Sequence, residues 1–200
     1  MPAPTQSRRN VRIDSDKYLI RTIEPDDASD RWASWMSDPE VMHMLNLRGR
    51  TWKEADVLDY IKTFDQQSSL LLGIFEKQSG THIGVFTVDI NQVRSQFLVN
   101  LLIGEPEYRN RHVTSSIAMP FHQYFFETLG LSMAVASVLG HNAPMIHYLK
   151  KNGWKLDRTV KHAKKSNTDG AMLDVCLFSL SRDAWLSWTK ENLAQSNNNN

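Results

Sequence analysis

The chain has 200 residues, 41% of them hydrophobic and 22% charged, with a formal net charge of +1. That length carries one domain with a proper core, and near-neutrality excludes a bulk attraction to nucleic acid or membrane. The single cysteine, Cys176, excludes an intrachain disulfide and speaks against a cysteine-built metal centre. No run of about 18 apolar residues predicts a membrane span. The first ten residues lack the apolar core of a secretory signal, so the cytoplasm is the expected location.

Residues 1–16 are polar and expected to be disordered. Tyr18-Leu19-Ile20-Arg21-Thr22-Ile23 reads as a strand. Pro25 then opens a helix, with Asp26 and Asp27 beside its positive end. It runs through Trp32 and Trp35 to a stop near Asp38-Pro39. Residues 41–50 are a connector with room for one helical turn. Thr51-Trp52-Lys53-Glu54 has the form of a capping box, and Val57, Leu58, Ile61 and Phe64 follow at helical spacing. Residues 70–75 and 83–90 are apolar runs separated by Lys77-Gln78-Ser79-Gly80, which predicts a hairpin. A third antiparallel strand starts at Phe97 and ends in the turn Gly104-Glu105-Pro106-Glu107.

After Thr114, the residues Ile117, Phe121, Phe125 and Leu129 recur every four positions and mark one helix face. Pro120 removes a backbone donor inside it and predicts a kink; Gly130 is a fitting stop. Residues 133–139 read as a strand and 142–152 as a helix closed by Gly153. Residues 154–162 and 171–180 read as strands around a basic loop, 161–170. Residues 183–193 read as a last helix carrying Trp185 and Trp188. The Asn-rich end, residues 195–200, is expected to be disordered, which leaves one domain over residues 17–194. The fold class is α+β: a mixed, mostly antiparallel central sheet flanked by helices. Its one locally parallel pair spans the helix after Thr114.

The chemistry concentrates between Phe97 and Gly153. Backbone donors at the start of the helix after Val113 have no partner within the helix, and with the helix dipole they form an anion site. Arg109, Arg111 and His112 add positive charge. A pyrophosphate would fit there; the plain alternative is a basic surface turn before an ordinary helix.

The order of elements resembles the GNAT superfamily of acetyl-CoA-dependent N-acetyltransferases. Tyr108-Arg109 matches the entry to that family's pyrophosphate loop, and Asn142, eleven residues before Gly153-Trp154, matches its Asn and Gly-aromatic pair. Leu19-Ile20-Arg21 followed by Pro25-Asp26-Asp27, and His82-Ile83-Gly84, resemble the family's opening strand and its Ile-Gly. The resemblance covers about residues 18–180. It implies a splayed central strand pair that takes acetyl-CoA as co-substrate, with no metal. Contacts would come from Leu102, Ile103, Gly104, Arg109, Asn110, Arg111, His112, Val113, Thr114, Ser115 and Asn142. The family's two small loop positions fall here at His112 and Thr114. A left-handed His costs roughly 1 kcal/mol, whereas the Thr114 hydroxyl can cap the helix or meet a phosphate oxygen.

Acetyl transfer needs a neutral amine, a base for its proton, a donor to the thioester oxygen and an acid for the leaving thiolate. Strand amides near Ile103 and Gly104 are the expected donor. The family's Tyr or Ser acid falls at Leu149 or Met145, neither of which donates, so Tyr148 is the expected acid. Glu105 is the expected base and Asp89 a second choice. His122 reads as a partly buried helix residue, and Cys176 as core. His82, His141 and His147 lack metal-ligand spacing.

The acceptor cleft implied by the resemblance lies between residues 32–51 and 155–170. Asp38-Pro39-Glu40-Val41 and the segment from Leu45 to Arg48 resemble enzymes that acetylate amino sugars on nucleotide carriers and, more loosely, relatives that acetylate ribosomal-protein N-termini. Arg48, Arg50, Lys161, Lys164 and Lys165 would meet phosphates of a nucleotide-linked amino sugar; the plain alternative is that the lysine loop is a solvated hairpin tip. The expected activity is N-acetylation of a small-molecule primary amine, preferably an amino sugar. A peptide or protein N-terminus is the alternative acceptor, and a catalytically weak CoA-binding or interaction protein the alternative class. No nucleic-acid or membrane partner is expected; a homodimer is allowed.

Overall fold

In the computed structural model, residues 8–109 and 111–198 are described, with side chains up to residue 192. The chain runs β1 (Arg12–Asp14), β2 (Tyr18–Thr22), α1 (Asp30–Ser37), α2 (Pro39–Leu45), α3 (Glu54–Lys62), β3 (Ser69–Glu76), β4 (His82–Asn91) and β5 (Gln96–Ile103). It continues through α4 (Val113–Gln123), β6 (Met133–Leu139), α5 (Ala143–Lys151), β7 (Lys155–Lys165), β8 (Met172–Ser181) and α6 (Arg182–Asn198). The strands form one sheet in the order β1-β2-β3-β4-β5-β6-β8-β7. Every neighbouring pair is antiparallel except β5 and β6, which are parallel.

Helices cover both faces, and this explains why β3 reads as a continuous apolar run rather than an alternating one. Leu70, Leu72 and Ile74 point into a core shared with α4, α5 and α6; Leu71 and Phe75 point into a second core with Trp32, Trp35, Val57 and Ile61 from α1 and α3. The first core is largely aromatic. Phe121 of α4 stacks on Phe86 at 4.2 Å between centroids, and Phe125 stacks on Phe97 at 4.7 Å. The edge strand β7 is exposed along almost its whole length. Its lysines blunt an edge that would otherwise template further pairing.

Several elements differ from expectation, each for a local reason. Val11 and Ile13 are buried while Arg12 is exposed, so β1 pairs with β2 inside the stretch expected to be disordered; residues 1–7 lie outside the described residues. The helix expected from Pro25 is only a short 3-10 turn, Pro25–Asp27. The Arg21 guanidinium grips both Asp27 oxygens, at 2.7 and 2.6 Å, and α1 restarts at Asp30 with Ser29 accepting from the Trp32 amide. The connector after Asp38 is the helix α2: Asp38 caps it, Pro39 opens it, and Asn46 ends it in a left-handed conformation. Thr51 does not cap α3. The Trp52 amide donates to Ser37 Oγ, which holds that segment outside the helix, and Asp56 instead accepts from the Lys53 amide. Pro120 lies inside α4, and one turn later the helix widens into a π turn, Tyr124–Thr128. The backbone of α6 extends past the expected end to Asn198, while residues 199–200 lie outside the described residues.

Candidate active site

The sheet opens at its parallel pair. β5 and β6 are in register only from Gln96↔Met133 to Leu98↔Val135. Beyond that point β5 stays with β4 as far as Ile103, and β6 stays with β8 as far as Leu139. Each half keeps its outer ladder, so the split leaves only the two inner edges unpaired. The Gly104 amide donates to the Ile83 carbonyl on the β4 side. In an antiparallel ladder the bonding direction alternates, so the amides of Leu101 and Ile103 face the split. The expected oxygen donor therefore narrows to Ile103 and its neighbour Leu101. Gly104 is corrected out of that role because its amide is already bonded.

A cavity of about 190 Å³ runs through the opening. From the α4 and α5 side it is lined by Phe86, Val99, Leu101, Phe121, His122, Ala136, Val138 and Leu149, together with Thr114, Asn142 and Tyr148. Asn100, Ser137, Met44, Leu45 and Lys164 also line it. No carboxylate lines it among the described residues. Asn100 and Ser137, which the sequence reading did not single out, are lone polar residues inside apolar strands, and that interruption is their sequence signal.

α4 begins at the mouth of this cavity. His112, its N-terminal flanking residue, has φ 57° and ψ 21°, the left-handed conformation a glycine would take at no cost. The first amide bonded within α4 is that of Ser116, to the His112 carbonyl. The amides of Val113, Thr114 and Ser115 have no partner among the described residues. Amides at the positive end of a helix are suited to meeting an anion, and Thr114 also lines the cavity. His112→Val, which sets a β-branched side chain in a left-handed backbone, is expected to lower stability by about 1–2 kcal/mol. His112→Gly is expected to stay within about 1 kcal/mol of wild type. Urea midpoints at unchanged slope check both.

The remaining predicted residues divide. Asn142 caps α5, its Oδ1 accepting from the Met145 amide at 3.2 Å, and it lines the cavity. Tyr148 also lines it; burial pushes its phenol up to about 12, and the hydroxyl donates to the Thr114 carbonyl at 3.4 Å. Val113 is buried, Ser115 exposed, and Arg111 lies over the Tyr108 ring. Leu102 turns toward the α1 core, and Ile103 packs against the α4 core. Asn110 lies outside the described residues.

Arg109 and Glu105 do not line the cavity. Arg109 bonds the Ile103 and Gly104 carbonyls, at 3.3 and 2.8 Å, and reaches Asp38 and Glu40 of α2 at 2.8 and 3.0 Å. Glu105 accepts from Trp35 Nε1 at 2.9 Å, with Arg31 at 3.7 Å, on the α1 side of the strand end. Asp89, exposed on β4, accepts from Ser69. His122 is half-buried against Phe126 and Trp154, as expected, and desolvation lowers its imidazole to about 4, which leaves it neutral at ordinary pH and a weak base. Among the described residues no group of three or more His, Cys, Asp or Glu side chains converges as a metal site, and no helix is long and apolar enough to cross a membrane.

A sheet parted between parallel strands, with a helix N-terminus beside the opening, is the arrangement expected of an acetyl-CoA-dependent transferase. Residues 17–155 match the acetyltransferase (GNAT) domain family. The chain belongs to this family of N-acetyltransferases, whose members use acetyl-CoA. No curated protein matches it in sequence. Among solved structures, a GCN5-related N-acetyltransferase from Brucella melitensis is similar with a TM-score of 0.76 at 15% identity, over 96% of this chain and 86% of that one. The ribosomal-protein-S5-alanine acetyltransferase from Vibrio fischeri gives 0.72 at 16%, over 88% and 99%. The spermidine N-acetyltransferase from Vibrio cholerae, in complex with CoA and spermine, gives 0.73 at 14%, over 85% and 98%. At these identities the likeness is one of fold.

Proposed function

We propose that the protein binds acetyl-CoA in the split between β5 and β6 and transfers the acetyl group to a primary amine, preferably that of an amino sugar. One observation carries this reading: the positive end of α4, whose Val113, Thr114 and Ser115 amides have no partner among the described residues, stands beside a cavity that opens between the two parted strands. The α4 amides would hold the pyrophosphate, Asn142 would meet the pantetheine arm, and the Ile103 amide would face the thioester oxygen. The amine nitrogen bonds to the acetyl carbon, the carbon–sulfur bond breaks, and the amine's proton goes to water. Tyr148, which burial keeps protonated, would serve as the hydrogen-bond donor to the departing sulfur by turning its hydroxyl away from the Thr114 carbonyl.

The acceptor side favours an anionic amine over a polycation. Lys164 lines the cavity and no described carboxylate does, so a polyamine would find no counter-charge there, whereas a phosphate-bearing amino sugar would. The spermine-bound Vibrio cholerae enzyme and the ribosomal-protein enzyme define the competing acceptors.

Calorimetry with acetyl-CoA, CoA and pyrophosphate tests the first half. Saturable binding weakened at least tenfold by Asn142→Ala is expected, and no binding at millimolar acetyl-CoA would sink the reading. Turnover on amino sugars, their nucleotide diphosphate conjugates, spermidine and a short peptide tests the second half, with the anionic sugars expected to lead. Glu105→Gln is expected to retain turnover, since Glu105 holds Trp35 rather than the cavity. A loss of a hundredfold would make Glu105 the base.

A further inference from the structure

We infer that Arg109 is a positioning residue: it ties the strand end and the α4 loop to α2, the helix that carries Met44 and Leu45 against the cavity. This rests on the cleft assignment above. The guanidinium commits four donor contacts in two directions. Nε and Nη2 hold the Ile103 and Gly104 carbonyls, while Nη2 and Nη1 hold Asp38 and Glu40 in the first turn of α2. Such a fork is specific to arginine, because a lysine ammonium has no planar arrangement to span two carbonyls and two carboxylates. Asp38 itself caps α2 by accepting from the Glu40 amide, so the clamp fixes the origin of the helix.

The other end of α2 is also pinned. Asn46 Nδ2 donates to the Lys165 carbonyl at 2.9 Å. The Asn167 amide donates to Asn46 Oδ1 at 2.7 Å, and Asn167 Nδ2 donates to the Asn46 carbonyl at 2.6 Å. α2 has seven residues, about 10 Å of helix. It is a short bar fastened to the α4 loop at one end and to the β7–β8 turn at the other. A ligand held at the start of α4 therefore also steadies the wall formed by Met44 and Leu45. Cofactor occupancy is passed to the acceptor side through one side chain that does not line the cleft.

The test uses the full chain, CoA as probe, and the variants Arg109→Lys, Asp38→Asn and the double substitution. CoA affinity is read by calorimetry and α2 by amide hydrogen exchange over residues 39–45. In wild type, CoA is expected to slow α2 exchange several-fold. In Arg109→Lys and Asp38→Asn that slowing should vanish while CoA affinity stays within about threefold of wild type. A tenfold loss of CoA affinity confined to Arg109→Lys would overturn the inference and make Arg109 a direct cofactor contact. Undiminished slowing in either variant, or none in wild type that binds CoA, would also overturn it. Should wild type bind no CoA, the proposed function falls separately, and the clamp is read in the free protein. Both single variants and the double must then raise α2 exchange to the same extent; additive effects would overturn it.

Discussion

Gly104→Ala is expected to cost about 2–3 kcal/mol of stability and to reduce turnover more than tenfold, although it adds one methyl group at a strand end. A Cβ at this position would run into the Trp35 indole. Trp35 cannot retreat: it is 2% exposed, lies edge-on to His82 at 5.0 Å between centroids, and donates Nε1 to Glu105. Overpacking of this kind forces backbone shifts, and the backbone that shifts carries the Ile103 amide and both carbonyls held by Arg109. Stability and catalysis should therefore fall together. Trp35→Leu should make room, so the double variant is expected to be at least 1 kcal/mol more stable than the sum of the single effects. Urea denaturation at constant slope measures this, and strict additivity would show that Gly104 and Trp35 do not clash.

What could be read in the sequence is what is local. The four-residue spacing of Ile117, Phe121 and Phe125 gave the helix face, and these residues are buried as expected. The apolar run from Phe97, followed by a helix and a second strand, gave the parallel pair, while the split came only as what the family resemblance implied. The rest depends on contacts between distant residues. Arg109 meets Asp38 across 71 positions, and Glu105 meets Trp35 across 70, so no spacing rule around either residue could reveal that both are engaged away from the cleft. His122 is half-buried, as expected, but its contact with Trp154, which reaches it from beyond β6, lies outside any local pattern. Thr51 had the right neighbours for a cap, but Ser37 took the Trp52 amide first. Val11-Arg12-Ile13 has a plain alternation, but three residues beside a polar tail make a weak pattern.

The second large effect is on stability against pH. His122 and His82 are both half-buried, and desolvation holds each as a neutral imidazole, lowered to about 4. His82 is packed between Trp32, Trp35 and Phe75, and the nearby Asp27 charge only partly offsets the loss of water, with Arg21 and Arg31 acting against it. In the unfolded chain each titrates near 6.5. Between about pH 6.5 and 4 the unfolded state binds protons that the native state refuses, so stability falls as pH falls through that window and is insensitive to these two groups above it. Each contributes about 2 kcal/mol of loss by pH 5. Below that, carboxylates held low, such as Asp65 at about 2, add their own loss as they protonate. His122→Phe keeps a ring against Phe126 and Trp154 but cannot take up the proton. It is expected to lie within about 1 kcal/mol of wild type at pH 7.5 and to be the more stable protein at pH 5 by about 2 kcal/mol relative to that offset. Curves for wild type and His122→Phe that run parallel from pH 7.5 to 5 would mean that His122 accepts its proton in the folded state. A charged imidazolium would then line the cavity between β5 and β6, and the turnover of a cationic amine would fall with pH more steeply than its own protonation requires.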